Sequence, residues 1–140
     1  MACTLAGMSV PTPRPVIAIF NSSDDMVELL RILLEGHGYL TVPGHVNDLR
    51  SGDLDLNAFV EQYKPTAVLY DLIPPYDRQW AFLDHIRTSS ALSGLPFVLT
   101  STNATAAREL AQRSEKVIEV VGRPFEFDEV LAAIRRVAPA

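Results

Sequence analysis

The chain has 140 residues, of which 48% are apolar and 21% charged, and a net charge of −5. That length suffices for one domain with a buried core, the composition excludes a disordered or collagen-like chain, and the acidic balance argues against broad nucleic-acid or membrane-surface binding, which needs a basic field. Cys3 is the only cysteine, so no internal disulfide forms, nothing points to an oxidising compartment, and a cytoplasmic location is the default expectation.

Residues 1–14 read as a flexible lead-in. Met1 to Gly7 are mildly apolar, but no basic stretch precedes them, and Pro11, Pro13 and Pro15 interrupt the residues after them, which supports neither a signal peptide nor a membrane span. Residues 15–140 read as a single domain. Residues 16–20 (VIAIF) are wholly apolar and rich in β-branched side chains, the pattern of a strand buried on both faces of a parallel sheet. A polar loop comes next, with Ser22 or Ser23 placed as a helix cap and Asp24 and Asp25 at the positive end of the helix dipole. Met26, Val27, Leu29, Leu30, Leu33 and Leu34 then recur at helical spacing until Gly36, His37 and Gly38 stop the helix.

Residues 39–42 predict a second strand ending near Pro43 and Gly44; residues 45–53 carry turn formers and little periodicity, and a helix from about residue 54 to 63 is closed by Lys64 and Pro65. Residues 67–70 are the third strand, with Asp71 at its carboxyl end and Pro74 and Pro75 beyond. Then come a helix over 80–87, a break over 89–94, a fourth strand over 95–99, a helix over 104–113 capped by Thr102 or Asn103, a fifth strand over 117–121, and a last amphipathic helix capped by Asp128. Five apolar runs alternating with five helical ones predict an α/β fold, a parallel sheet with right-handed crossovers and helices on both faces.

In such a sheet, ligands bind at the carboxyl ends of the strands. The ends of strands one, three, four and five bring together Asn21 and Ser22, Asp71, Thr100 and Ser101, and Arg123. A carboxylate, a hydroxyl and a cation converging on one point suit a phosphoryl group carried on the aspartate, whose oxygens the hydroxyl bonds and whose charge the cation offsets. The plainer alternative is a strand-ending aspartate bonded to its own loop, or paired with Arg123. His37, His45 and His85 have no ligand spacing, Trp80 and Phe82 suit core or interface packing, and no glycine-rich phosphate loop, nucleophile elbow or zincin motif occurs.

Residues 71–75 (DLIPP), the hydroxyl pair Thr100-Ser101 and residues 123–125 (RPF), in this order and spacing, resemble the receiver domain of two-component response regulators over residues 16–138. The resemblance implies a flavodoxin-like three-layer sandwich, as in chemotaxis receivers, with a five-stranded parallel sheet of order 2-1-3-4-5. It implies Asp71 as phosphoacceptor, Ser101 as the switch hydroxyl and Thr100 and Arg123 as pocket residues. As partners it implies a histidine kinase or phosphotransfer protein and an output protein, with a homodimer left open and no nucleic acid or membrane bound by this chain.

Five positions depart from the family. Asn21 and Ser22 stand where an acidic pair holds Mg²⁺, Arg123 stands for a lysine, Val120 for an aromatic switch residue, and Gln79, with Trp80 after it, for a glycine. A magnesium site built from Asp71, the Asn21 side chain and the Ile73 carbonyl is expected to be weak, because this hard ion is usually held by carboxylates. The expected role is therefore a non-enzymatic receiver module phosphorylated on Asp71. The first alternative is a phosphorylation-independent pseudo-receiver serving docking or dimerisation. The second is a flavodoxin-like cofactor-binding enzyme, for which residues 21–23 (NSS) at a helix start are a faint phosphate loop.

Overall fold

The computed structural model describes residues 14–89, 91–112, 118–123 and 126–139. The expected lead-in up to residue 13, with Cys3, lies outside these residues, as do residues 117, 124 and 125. The strands are β1 (Val16–Asn21), β2 (Leu40–His45), β3 (Ala67–Leu72), β4 (Phe97–Ser101) and β5 (Ile118–Gly122). The helices are α1 (Asp24–Glu35), α2 (Val46–Ser51), α3 (Leu56–Tyr63), α4 (Tyr76–Arg87), α5 (Ala104–Ala111) and α6 (Phe127–Val137). The strands pair in parallel in the order β2-β1-β3-β4-β5, which is the predicted sandwich.

Two apolar layers flank the sheet, and the alternation of side chains along each strand assigns residues to them. Ile17 and Ile19 of β1, Ala67 and Leu69 of β3, Val98 of β4 and Val121 of β5 pack with Leu30 and Leu34 of α1 and with Val130, Leu131, Ala133 and Ile134 of α6. The alternate residues Ala18, Phe20, Val68, Tyr70, Leu72, Phe97 and Leu99 pack beneath α2, α3, α4 and α5. The first layer is closed across the chain by the buried Tyr39 hydroxyl, which donates to the Ala138 carbonyl at 2.6 Å.

Several local expectations are corrected. Residues 45–53 are not all turn: the His45 ring Nδ1 accepts from the Asn47 N–H and caps the short helix α2, so two helices cover the β2–β3 crossover. Strand β2 runs on through Pro43 and Gly44. As an edge strand it tolerates a proline, and Gly44 lies so close to the buried Phe20 ring that an added Cβ would stand 2.5 Å from it. Helix α4 begins at Tyr76, four residues before the expected start at residue 80, so Gln79 lies within it. The cap of α6 is Glu126, in a reciprocal capping box with Glu129; Asp128 is inside the first turn. Of the two candidate caps for α1, Ser23 serves, accepting from the Met26 N–H. No helix among the described residues is long and apolar enough to cross a membrane.

Candidate functional site

Parallel register places Asp71 opposite Thr100 and Thr100 opposite Val121. Alternation then sends the Asp71 and Thr100 side chains to the α1/α6 face, together with Asn21, which lies two residues after Ile19. Arg123 stands two residues beyond Val121 and reaches back over the same strand ends. Its backbone N–H donates to the Ser101 carbonyl at 2.7 Å, holding the start of its side chain against the end of β4.

Asp71 is buried, its side chain only 3% exposed. The Thr100 hydroxyl donates to Oδ1 at 2.6 Å, and Nη1 of Arg123 donates to Oδ2 at 3.0 Å and to Oδ1 at 3.2 Å. One guanidinium nitrogen thus serves both carboxylate oxygens, while the Arg123 side chain remains 32% exposed. A buried carboxylate is tolerable here because a cation and a hydroxyl both meet it.

Of the two candidate hydroxyls, the structure brings Thr100 to Asp71 and leaves Ser101 apart. Ser101 points to the other face of the sheet, where its Oγ accepts from the Asn103 N–H at 3.1 Å and shapes the turn into α5. Asn21 is buried at the end of β1, and its Oδ1 accepts from the Ser23 N–H at 2.9 Å. Ile73 comes just after β3 and is half-buried, Ser22 is exposed, and Asp24 and Asp25 are exposed in the first turn of α1. Val120 is half-buried against the layer beneath α4 and α5.

These donors do not fit a resident Mg²⁺. Asp71 already meets the guanidinium through both of its oxygens, the Asn21 oxygen is occupied by a backbone donor, and no group of three or more His, Cys, Asp or Glu among the described residues is placed to hold a metal. A cleft of about 200 Å³ opens beside β1 and β2, lined by Asn21, Asp24, Val27, Pro43, Gly44 and His45 but not by Asp71.

Two features escaped the sequence reading. The Tyr76 hydroxyl, at the start of α4, shares a 2.5 Å hydrogen bond with Thr102, so the loops after β3 and β4 are bridged above the strand ends. Pro74 and Pro75, joined by a cis peptide, lead into it, and the proline pair was its one visible signal. The other is Tyr70, next to Asp71 but facing the opposite layer. Its hydroxyl is buried with no hydrogen-bond partner among the described residues, and burial pushes its pKa up to about 12.

No protein-family model matches the sequence, and no curated protein matches it. Solved structures do match. The chemotaxis protein CheY4 of Vibrio cholerae superposes with a TM-score of 0.69 at 14% identity, over 89% of this chain and 99% of that one. A response regulator receiver protein from Pseudomonas putida gives 0.68 at 14% identity, over 90% and 99%. A signal receiver domain of two-component signal transduction (histidine kinase) from Clostridium thermocellum gives 0.67 at 16% identity, over 88% and 96%. At these identities the likeness is one of architecture, and the chain has the fold of response-regulator receiver domains.

Proposed function

We propose that the chain is a receiver-type signalling module, not an enzyme, and that Asp71 is its regulated residue. One observation carries this reading: a buried carboxylate at the strand ends of a 2-1-3-4-5 sheet, met by the Thr100 hydroxyl and the Arg123 cation. A histidine kinase or phosphotransfer protein would supply the phosphoryl group. The P–N bond of its phosphohistidine breaks, a P–O bond to a carboxylate oxygen of Asp71 forms, and the carboxylate becomes an acyl phosphate. The added charge and bulk would exchange the Arg123–carboxylate contact for an Arg123–phosphoryl one and pull on Thr100. Because Arg123 also bonds the Ser101 carbonyl, and Thr102 bonds Tyr76, the loop after β4 would move with it. An output protein reading the surface of β4, α5 and β5 would sense that shift.

A second reading is supported by the same ion pair. If Arg123 holds Asp71 permanently, the domain is a phosphorylation-independent docking module, and the contact is structural. Intact mass after incubation with a small-molecule phosphodonor, on this chain and on Asp71→Ala, separates the two. A single phosphoryl adduct that vanishes in the variant is the expected result. No adduct under any condition, with or without Mg²⁺, would overturn the first reading in favour of the second.

A further inference from the structure

The fold leads one to expect a divalent cation beside Asp71, and the side chains present do not suit one. We propose that Arg123 is a tethered counter-charge occupying the cation's place, so that the Asp71 centre works without a metal. The inference deepens the function proposed above and rests on Asp71 as the regulated residue.

Four observations carry it. The first is occupancy: Nη1 of Arg123 lies 3.0 and 3.2 Å from the two carboxylate oxygens, and the Thr100 hydroxyl takes a further lone pair of Oδ1, so three of about four acceptor sites are in use. A divalent ion would compete with the guanidinium for the same oxygens. The second is charge. A dication placed at Asp71 would face a single negative group with a positive one already on it, and the repulsion acts in a buried setting where screening is slight. The third is the loss of co-ligands. Asn21 and Ser22 stand at the end of β1, the Asn21 oxygen is used by the Ser23 N–H, and Asp24 and Asp25 are exposed on α1. The fourth is tethering: the Arg123 backbone N–H is fixed to the Ser101 carbonyl at 2.7 Å, so the cation needs no recruitment from solution.

Only one nitrogen of the guanidinium touches Asp71, so the contact is that of a point charge rather than a planar fork. A lysine ammonium could take the same position. Arg123→Lys should therefore keep most of the stability that the similarly long but uncharged Arg123→Met loses, which a purely packing role for the long side chain would not produce.

The experiment is thermal unfolding of the chain in EDTA and in about 10 mM MgCl₂, with calorimetric titration of MgCl₂ in parallel. The wild type should melt within about 1 °C in the two conditions and give no saturable heat. Arg123→Met should melt roughly 5–10 °C lower, and Arg123→Lys should recover more than half of that loss. Asn21→Asp, Ser22→Asp and Arg123→Met together rebuild a carboxylate site, remove the counter-charge and should gain a Mg²⁺-dependent rise in melting temperature. A wild type stabilised by Mg²⁺, with the effect abolished in Asp71→Asn, would overturn the inference. So would a folded triple variant blind to Mg²⁺, since other residues would then be what excludes the metal. Should the triple variant not fold, the wild-type titration decides alone. These outcomes are separate from the phosphodonor result: a chain that takes no phosphoryl group can still have a metal-independent Asp71–Arg123 centre, and a Mg²⁺-dependent chain can still be a receiver.

Discussion

Replacing Tyr70 by phenylalanine should stabilise the protein. Tyr70 is 1% exposed, its ring is 6.3 Å from that of Phe20, and its hydroxyl has no hydrogen-bond partner among the described residues. A buried hydroxyl without a hydrogen bond carries a desolvation cost of about 1–3 kcal/mol, whereas phenylalanine keeps the ring contacts and removes the polar atom. The expected gain of roughly 1 kcal/mol corresponds to about 3–4 °C in melting temperature for a domain of this size. The same substitution has a signature at high pH. Burial pushes the phenol up to about 12 from 10.0, with the Arg50 charge pulling it down and the Asp71 charge adding to the rise. Between those values the unfolded chain has lost the proton while the folded one keeps it. The unfolded state then binds fewer protons, and stability falls as pH rises. Over two pH units at about 1.36 kcal/mol each, the fall reaches roughly 2.7 kcal/mol. Below pH 10 it is absent, and in Tyr70→Phe this part of the alkaline fall disappears. Tyr39, raised by burial, keeps a contribution of the same sign in both proteins. Denaturant unfolding monitored by circular dichroism between about pH 8 and 11.5 measures both effects. A variant less stable than the wild type, or one with the full alkaline slope, would refute the reasoning by showing that the hydroxyl is satisfied in solution.

Two other substitutions test the site and its surroundings. Thr100→Val removes a hydroxyl bonded to a buried carboxylate and should cost about 1.5–3 kcal/mol. In a double-mutant cycle with Asp71→Ala it should be strongly non-additive, whereas Ser101→Ala should add to Asp71→Ala within about 0.5 kcal/mol. Equal coupling of both hydroxyls to Asp71 would contradict the observed strand register. Gly44→Ala puts a methyl group against the fully buried Phe20 ring and should cost about 1–3 kcal/mol by overpacking, measured by chemical denaturation. Wild-type stability there would mean that the edge strand β2 moves aside freely.

Much of the architecture was legible because it rests on local patterns. The run over residues 16–20 and the spacing of the leucines over 29–34 report strand and helix through their periods, and alternation of such runs limits the sheet to parallel strands with crossovers. Ends and short elements were less legible. Six residues of α2 span under two turns, too few for a period to show, and their start depends on a histidine ring acting as a cap. Pro43 and Gly44 spoke against a strand until the edge position of β2 and the nearby Phe20 ring explained them.

Within the site, the sequence alone was enough to bring Asp71, Thr100, Ser101, Arg123 and Asn21 to one edge of the sheet, because strand order and chain direction place them there. Set against the receiver family that it resembles, the sequence also has Asn21 and Ser22 where that family carries its metal-holding acidic pair. Which hydroxyl faces Asp71 was decided only by the tertiary structure, since a shift of one residue between β3 and β4 would exchange Thr100 for Ser101. The pairing of Arg123 with Asp71 joins residues 52 positions apart, and its one-nitrogen contact depends on where β5 ends relative to β3. Composition and periodicity carry the first kind of information; register and distance, which arise only when the strands have docked, carry the second.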